Sequence, residues 1–330
     1  MRIDSILRQS FQDFELILLD DCSTDDSRSI LHRYASDPRL RVEFNEVNSG
    51  SPFKQWNKGV SLAKGEYVWI AESDDYSDER FLERLAARLD AEPSAAFAYC
   101  RSWRVTLHDR TEGFVNTWLP LGRWTADYCV DGHTECRNYM VRGNTVPNAS
   151  AVVFRKAVYE RVGGTDESLR LCGDWKLWAA MALTGKVAYV AEALNYFRFH
   201  DASVRSVTNS NGTDLAEIFR VRWWILDQET RPESAPIDER SKLALASNCM
   251  DLAFESYPDF PDITCLALER LRELGGTTYV PHFATWRGEL LKRIIGWKAT
   301  KRANIFYHRH SARNAVAYAR RLVVADNNAS

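Results

Sequence analysis

With 330 residues, 45% hydrophobic and 27% charged, the chain can bury a large core and has an ordinary globular composition, which excludes a disordered or collagen-like polymer. A formal net charge of −2 and a sequence pI near 6.4 give no global reason to expect nucleic-acid binding. Seven cysteines, odd in number and without Cys-x-x-Cys spacing, fit the reduced thiols of a cytoplasmic protein better than a disulfide framework or a zinc site. No run approaches the roughly eighteen apolar residues of a membrane span, and the N-terminus has no signal-peptide pattern.

Phe14 to Leu19 is a short apolar run of the kind buried in a parallel sheet, and it stops at Asp20-Asp21-Cys22-Ser23-Thr24-Asp25. A helix is predicted over 27 to 34, with Asp25 or Asp26 as its cap, and a strand over 41 to 44. Phe53, Trp56, Val60 and Leu62 predict a crossover helix over 53 to 63, and a strand over 66 to 71 follows Gly65. This repeated βαβ pattern predicts an α/β fold whose sheet is mostly parallel and flanked by helices.

The strand over 66 to 71 runs into Glu72-Ser73-Asp74-Asp75, three carboxylates in four residues. Such a cluster repels itself unless a cation sits there, and acids at a strand's C-terminal edge suit a hard divalent ion holding a diphosphate. The competing reading is that Asp74, Asp75, Ser77 and Asp78 cap a helix beginning near Glu79. That helix carries Phe81, Leu82, Leu85 and Leu89 on one face, and 95 to 100 is a buried strand candidate. Residues 104 to 148 read as long loops. Strand character resumes over 150 to 154, then come a helix to Arg161, a helix over 174 to 183 and strands over 187 to 190 and 196 to 199. Asn148-Ala149-Ser150 and Asn211-Gly212-Thr213 match glycosylation sequons.

Phe11 to Asp25 resembles the opening nucleotide-binding motif of the family 2 glycosyltransferases, which have the GT-A fold. Asn48-Ser49-Gly50, Lys54 to Gly59 and Ala63 to Tyr67 resemble that family's connection into its metal motif. Cys172 to Trp178 resembles its catalytic-base segment, and Gly185 to Val190 with Tyr196 to His200 resemble the strands beyond that segment. Four ordered motifs over about 200 residues are more specific than any one of them.

The resemblance implies roles. Asp21 would accept a hydrogen bond from a pyrimidine base, with Asp20 and Asp25 shaping that pocket, against turn and helix capping as the plainer role. Asp74 and Asp75 match the acids that hold Mg2+ or Mn2+ against the donor diphosphate; Asp74 would also touch the nucleotide. Glu72 departs from the commoner Asp at the head of that motif and is assigned a donor or acceptor contact. Asp174 would be the general base, predicted in a helix's first turn, where the dipole favours a carboxylate, against a simple N-cap as the plainer role. The family's usual acid before it is here Gly173. His200 matches a diphosphate or metal contact, against a packed or surface histidine as the plainer role. Trp175 is expected beside the site, while Trp118, Trp124 and Trp178 are open between sugar stacking and core. Arg198 and Lys54 are open between phosphate contact and solvation.

The implied reaction is a single displacement from a nucleotide-sugar donor, most often UDP-linked, to a hydroxyl of a saccharide or lipid-linked acceptor, with inversion. Relatives begin with an apolar strand, whereas this chain enters partway through the helix that comes after it. Losing that strand would expose neighbouring backbone, which keeps open a binding or scaffold module with little turnover. A nucleotidyltransferase would need a basic phosphate-gripping loop that is not found. The expected division is a glycosyltransferase domain over 1–205 and a helical region over 206–330, with helices over 214 to 229, 238 to 256, 262 to 274 and 283 to 297. Residues 287–321 hold ten Lys or Arg against one Glu. They read either as a peripheral contact with an anionic membrane or as a solvated basic face.

Overall fold

The computed structural model describes residues 1–115, 121–199, 213–231, 239–257 and 259–274. The first apolar run forms β1 (Leu16–Asp20), and α2 (Ser27–His32) returns the chain to β2 (Leu40–Phe44), in register Leu16 to Leu40 and parallel. A short helix α1 (Arg2–Leu7) precedes them, and α3 (Pro52–Leu62), which opens on a proline suited to the first helical turn, comes next. Among the described residues these two strands form a sheet of their own. The larger sheet has the order β3 (Tyr67–Trp69), β8 (Val152–Arg155), β5 (Ala95–Val105), β9 (Lys186–Arg198), β4 (Tyr76–Ser77), with β6 (Thr111–Phe114) on β5 and β7 (Tyr128–Asp131) on β9.

The α/β class and the flanking helices are as expected, but the larger sheet is mixed, not mostly parallel. Within it only β5 and β9 pair in parallel; β3 with β8, β8 with β5, β9 with β4, β5 with β6 and β7 with β9 are antiparallel. A continuous apolar run marks a strand buried on both faces and says nothing of its neighbours' direction. β8 enters after the long excursion from residue 115, so no helical crossover forces it to run parallel. That excursion, with the stretch before it read as loop, contains β6, β7 and α5 (Gly132–Glu135), the last capped by Asp131. The two strands expected over 187 to 190 and 196 to 199 are one strand, β9, whose pairing with β5 shifts register around Arg101.

β5 shows why the core sits where it does. Its alternate residues Ala98 and Cys100 join Phe81, Leu85 and Leu89 of α4 (Phe81–Ala91) on one face. Phe97 on the opposite face meets Trp178 of α7 (Gly173–Ala182) at 5.6 Å between rings, as does Phe154 of β8 at 5.9 Å. Both faces are therefore covered, and the strand is buried over its first six residues. Trp178 and Trp124 are core residues; Trp118 lies outside the described residues.

The chain divides into two compact units, Met1–Asn248 and Cys249–Ser330. α6 (Lys156–Arg161) and α8 (Thr213–Thr230) belong to the first, and α9 (Glu239–Ser256) runs across the division. In the second, α10 (Pro261–Glu273) buries Ile263, Ala267 and Leu271 at four-residue spacing, and the Ser256 and Thr264 hydroxyls pair at 2.8 Å. The expected helix over 283 to 297 and the basic segment 287–321 lie outside the described residues. Among the described residues no helix is long and apolar enough to cross a membrane.

Candidate active site

The acidic ends of β1 and β3 have different surroundings. Asp20 is 4% exposed; its Oδ1 accepts the Ser23 N–H at 3.1 Å and faces Arg28 Nε at 3.5 Å. Burial pushes its pKa up, but Ser23 and Arg28 outweigh that and hold it below the ordinary value. Asp21 Oδ1 accepts from Asn45 at 2.7 Å, the Ser49 N–H at 2.8 Å and Gln55 at 2.9 Å, while Oδ2 accepts the Ser49 hydroxyl at 2.7 Å. Here too burial is outweighed, chiefly by Ser49 and Asn45, and the pKa lies low. Four donors leave about one free lone-pair site, on Oδ2, for any base. Asp25 accepts the Ser27 N–H at 3.0 Å in a turn before α2, whose cap residue Asp26 makes no side-chain capping bond.

At the end of β3 the order is reversed. Capping of α4 does not explain Asp74 or Asp75: β4 intervenes, and α4 begins only at Phe81. Asp75 is 1% exposed, with Oδ1 accepting the Arg198 N–H at 3.0 Å and Oδ2 bonded to the Asn148 amide. Burial, with Asp74 beside it, raises its pKa to about 6 against the opposing pull of Ser150, Arg198 and Arg2. Glu72 accepts Trp56 Nε1–H at 2.9 Å, and burial followed by repulsion from Asp74 and Asp75 raises its pKa to about 7. Asp74 is half-buried, and its carbonyl accepts Arg198 Nε–H at 2.8 Å. The Arg198 guanidinium also pairs with Asp109 at 2.8 Å, and Lys54 donates to the Ser49 carbonyl at 3.3 Å.

Arg2, which sequence reasoning missed, is the counter-charge. It is 8% exposed, its guanidinium lies 4.7 Å from the Trp69 ring, and among the described residues Nε, Nη1 and Nη2 have no hydrogen-bond partner. Burial lowers its pKa to about 10 against the pull of Asp75, Glu72 and Asp74. No local pattern marks a buried arginine in a six-residue helix.

Asp174 stands in the first turn of α7, as predicted. Its Oδ1 accepts the Trp175 N–H at 2.6 Å and its Oδ2 the Asn144 amide at 3.0 Å. Trp175 is 5% exposed and donates its indole N–H to the Met140 carbonyl at 2.9 Å, so it anchors the helix start. Gly173 has a steric reason: a Cβ there would lie 2.5 Å from the Phe53 ring of α3. Phe53 packs edge-on to Trp56 at 5.1 Å, and Trp56 in turn holds Glu72. One face of α3 therefore touches both the Asp174 turn and the Glu72 cluster.

A second connection is the stretch from Asn144 to Ser150, most of it inside the segment read as loops. Asn144 holds Asp174, Asn148 holds Asp75, and the Ser150 hydroxyl accepts the Glu72 N–H at 3.0 Å. Asn148 is 8% exposed and also accepts from Asn195 at 2.9 Å, so its sequon is closed to glycosylation in the folded chain. Asn211 and His200 lie outside the described residues.

Among the described residues no three His, Cys, Asp or Glu side chains converge as a ready metal cage. The donors that Glu72, Asp74 and Asp75 offer are nonetheless all oxygen, with Asp75 buried and Asp74 half-buried, three carboxylates facing the Arg2 guanidinium. A Mg2+ or Mn2+ ion needs only one or two protein carboxylates when phosphates supply other ligands. The residues fit such an ion on those terms.

Residues 2–160 match the profile of glycosyl transferase family 2. These residues belong to glycosyl transferase family 2. The chain is 38% identical over 90 residues to poly(ribitol-phosphate) beta-N-acetylglucosaminyltransferase TarS of Staphylococcus aureus, a stretch covering 27% of this chain and 16% of that protein. It is 43% identical over 84 residues to glycosyltransferase GlyG of Streptococcus pneumoniae, covering 25% and 28%. The matched part is thus less than a third of either relative's length. In structure it is similar to S. aureus TarS 1–349 in complex with UDP-GlcNAc, with TM-score 0.57 and 18% identity over 84% of this chain and 86% of that one. It is also similar to the mannosyltransferase PcManGT of Pyrobaculum calidifontis in complex with GDP-Man and Mn2+, with TM-score 0.51 and 14% identity over 95% and 82%. The fold is GT-A-like.

Proposed function

We propose that this chain is a glycosyltransferase that moves a sugar from a nucleotide-sugar donor, UDP-linked, to a hydroxyl of a saccharide or lipid-linked acceptor, with inversion. The observation that carries it is the stretch from Asn144 to Ser150, which fastens Asp174 at one end and the Glu72–Asp75 cluster at the other. A family 2 domain with one carboxylate set apart from a cluster of three has the two parts a single displacement requires: a proton acceptor and a grip on the leaving diphosphate.

Asp174 takes the proton from the acceptor hydroxyl while Asn144 and the Trp175 N–H fix its orientation. The acceptor oxygen then attacks the anomeric carbon from the face opposite the diphosphate. Asp74, with Glu72 and Asp75 behind it, would hold a divalent ion, which when bound supplies positive charge against the diphosphate. Asp20 and Asp21 brace the turn that would receive the nucleobase, and His200 would meet the diphosphate. The same reading puts the protein in the cytoplasm, with 287–321 as its contact with the inner face of a membrane.

Calorimetry with UDP, with and without Mn2+, tests the donor grip, and UDP release from UDP-GlcNAc tests turnover. Mn2+-dependent UDP binding is expected, and Asp174→Asn should lower turnover by about 10^2- to 10^4-fold while leaving UDP binding intact. No UDP binding, or full turnover in Asp174→Asn, sinks the proposal.

A further inference from the structure

The turn that presents Asp174 is held only in part by its own side chains, through the Trp175 N–H that Asp174 accepts and the Trp175 indole. Cys172 stands at the cap of α7 without making a side-chain capping bond, and a helix N-terminus leaves its leading N–H groups without intrahelical partners. The three amides just before the helix are instead gathered by a single carboxylate from α8, more than forty residues on. Glu217 Oε1 accepts the Arg170 N–H at 2.7 Å, and Oε2 accepts those of Leu171 at 2.8 Å and Cys172 at 2.9 Å. Successive backbone N–H groups form a concavity suited to an anion, and here that anion is Glu217, 5% exposed.

The same helix grips the other side of Asp174. Arg222, 6% exposed, donates Nε–H to the Val141 carbonyl at 3.1 Å. Val141 follows Met140, whose carbonyl takes the Trp175 indole N–H, and precedes Asn144, which holds Asp174. Two turns further on, fully buried Glu229 pairs with His133 at 3.0 Å and with Arg137. Polar groups at 217, 222 and 229 are costly to bury on a helix that packs Val221, Ile225 and Leu226. A helix needed for packing alone would do better with apolar side chains there.

We propose that Glu217 is the positioning residue for Asp174: it fixes the backbone of 170–172, and so the direction in which the Asp174 carboxylate meets the acceptor hydroxyl. This rests on the base role of Asp174 proposed above. Glu217→Gln keeps the shape but replaces one oxygen with an NH2 that faces N–H donors, so the amides lose charge-assisted bonds. A shift near 1 Å at a reacting group costs on the order of a hundredfold.

The test uses the full chain, UDP release from UDP-GlcNAc, and amide hydrogen exchange. Glu217→Gln should lower kcat about ten- to a hundredfold with KM for UDP-GlcNAc and Kd for UDP–Mn2+ within about threefold. Exchange at 170–172 should speed up, and adding the substitution to Asp174→Asn should cost no further turnover. Glu217→Asp, which keeps the charge and draws it back by one methylene, should retain more kcat. It also carries the test should the Gln variant not fold. Wild-type kcat in the variant tested, alongside an inactive Asp174→Asn, overturns the inference and leaves the proposed function standing. Equal losses in kcat and UDP affinity mark a merely structural residue and overturn it too. An Asp174→Asn variant as active as its parent sinks the proposed function instead.

Discussion

The ends of β1 and β3 present the same signal, acids after an apolar strand, and the protein treats them in opposite ways. Asp20 and Asp21 receive hydrogen bonds from two backbone N–H groups, a hydroxyl and two amides, and their pKa values are held low. Glu72 and Asp75 are desolvated beside each other and Asp74, with pKa values raised to about 7 and about 6. The first pair is an electrostatically complete brace. The second cluster is incomplete, and an added positive charge would complete it.

The sharpest way to break this contrast is to delete one acid from each end. Asp21→Ala strands the donors of Asn45, Ser49 and Gln55 and should cost about 3 kcal/mol in urea unfolding. A near-neutral result would mean that water replaces the carboxylate and that the brace is not structural. Next in size, Mn2+ with UDP at a hundredfold excess over Kd should stabilise the folded chain by about 2.7 kcal/mol, and Asp74→Asn should cancel that gain. Glu72→Gln should act with the sign opposite to Asp21→Ala, stabilising the metal-free chain by roughly 1 kcal/mol near pH 8.

That sign comes from linkage. Glu72 has a folded pKa of about 7 against an ordinary 4.5, so the folded state binds the extra proton, and stability falls as pH rises through that window. Asp20 and Asp21 work the other way: their contribution is present above the ordinary carboxylate value of 3.8 and is lost as pH falls through their lower folded values. Thermal midpoints scanned from pH 4.5 to 8 should decline in the parent chain, less steeply in Glu72→Gln (~1 unit steps suffice to resolve the slope). A flat parent profile would refute the incomplete-cluster account.

Local pattern made β1, α3, α4 and the start of α7 readable, because each carries its apolar spacing, its breaker or its cap in a few adjacent residues. It could not show that Asn148 and Ser150 serve acids more than seventy residues earlier, or that Glu217 serves amides more than forty residues earlier. Polar residues in a loop-like stretch look solvated until the fold supplies a partner. The strand directions were hidden for a related reason: side-chain burial sets the pattern, and burial does not depend on which way a neighbour runs. Gly173 was legible only as a departure, and Phe53 explains it.

The smallest expected effect isolates the one positive charge described above as the cluster's buried counter-charge. Arg2 remains cationic at neutral pH with a pKa of about 10, and its charge lowers the pKa values of both Glu72 and Asp75. Arg2→Met keeps an apolar stem against Trp69 while removing that charge. The Glu72 titration, followed by NMR on the metal-free chain, should move upward from about 7. The size of that move measures how far Arg2 stands in for a metal. An unmoved or lowered midpoint would show that Arg2 is not the counter-charge and that burial and the repulsion among the acids set the titration.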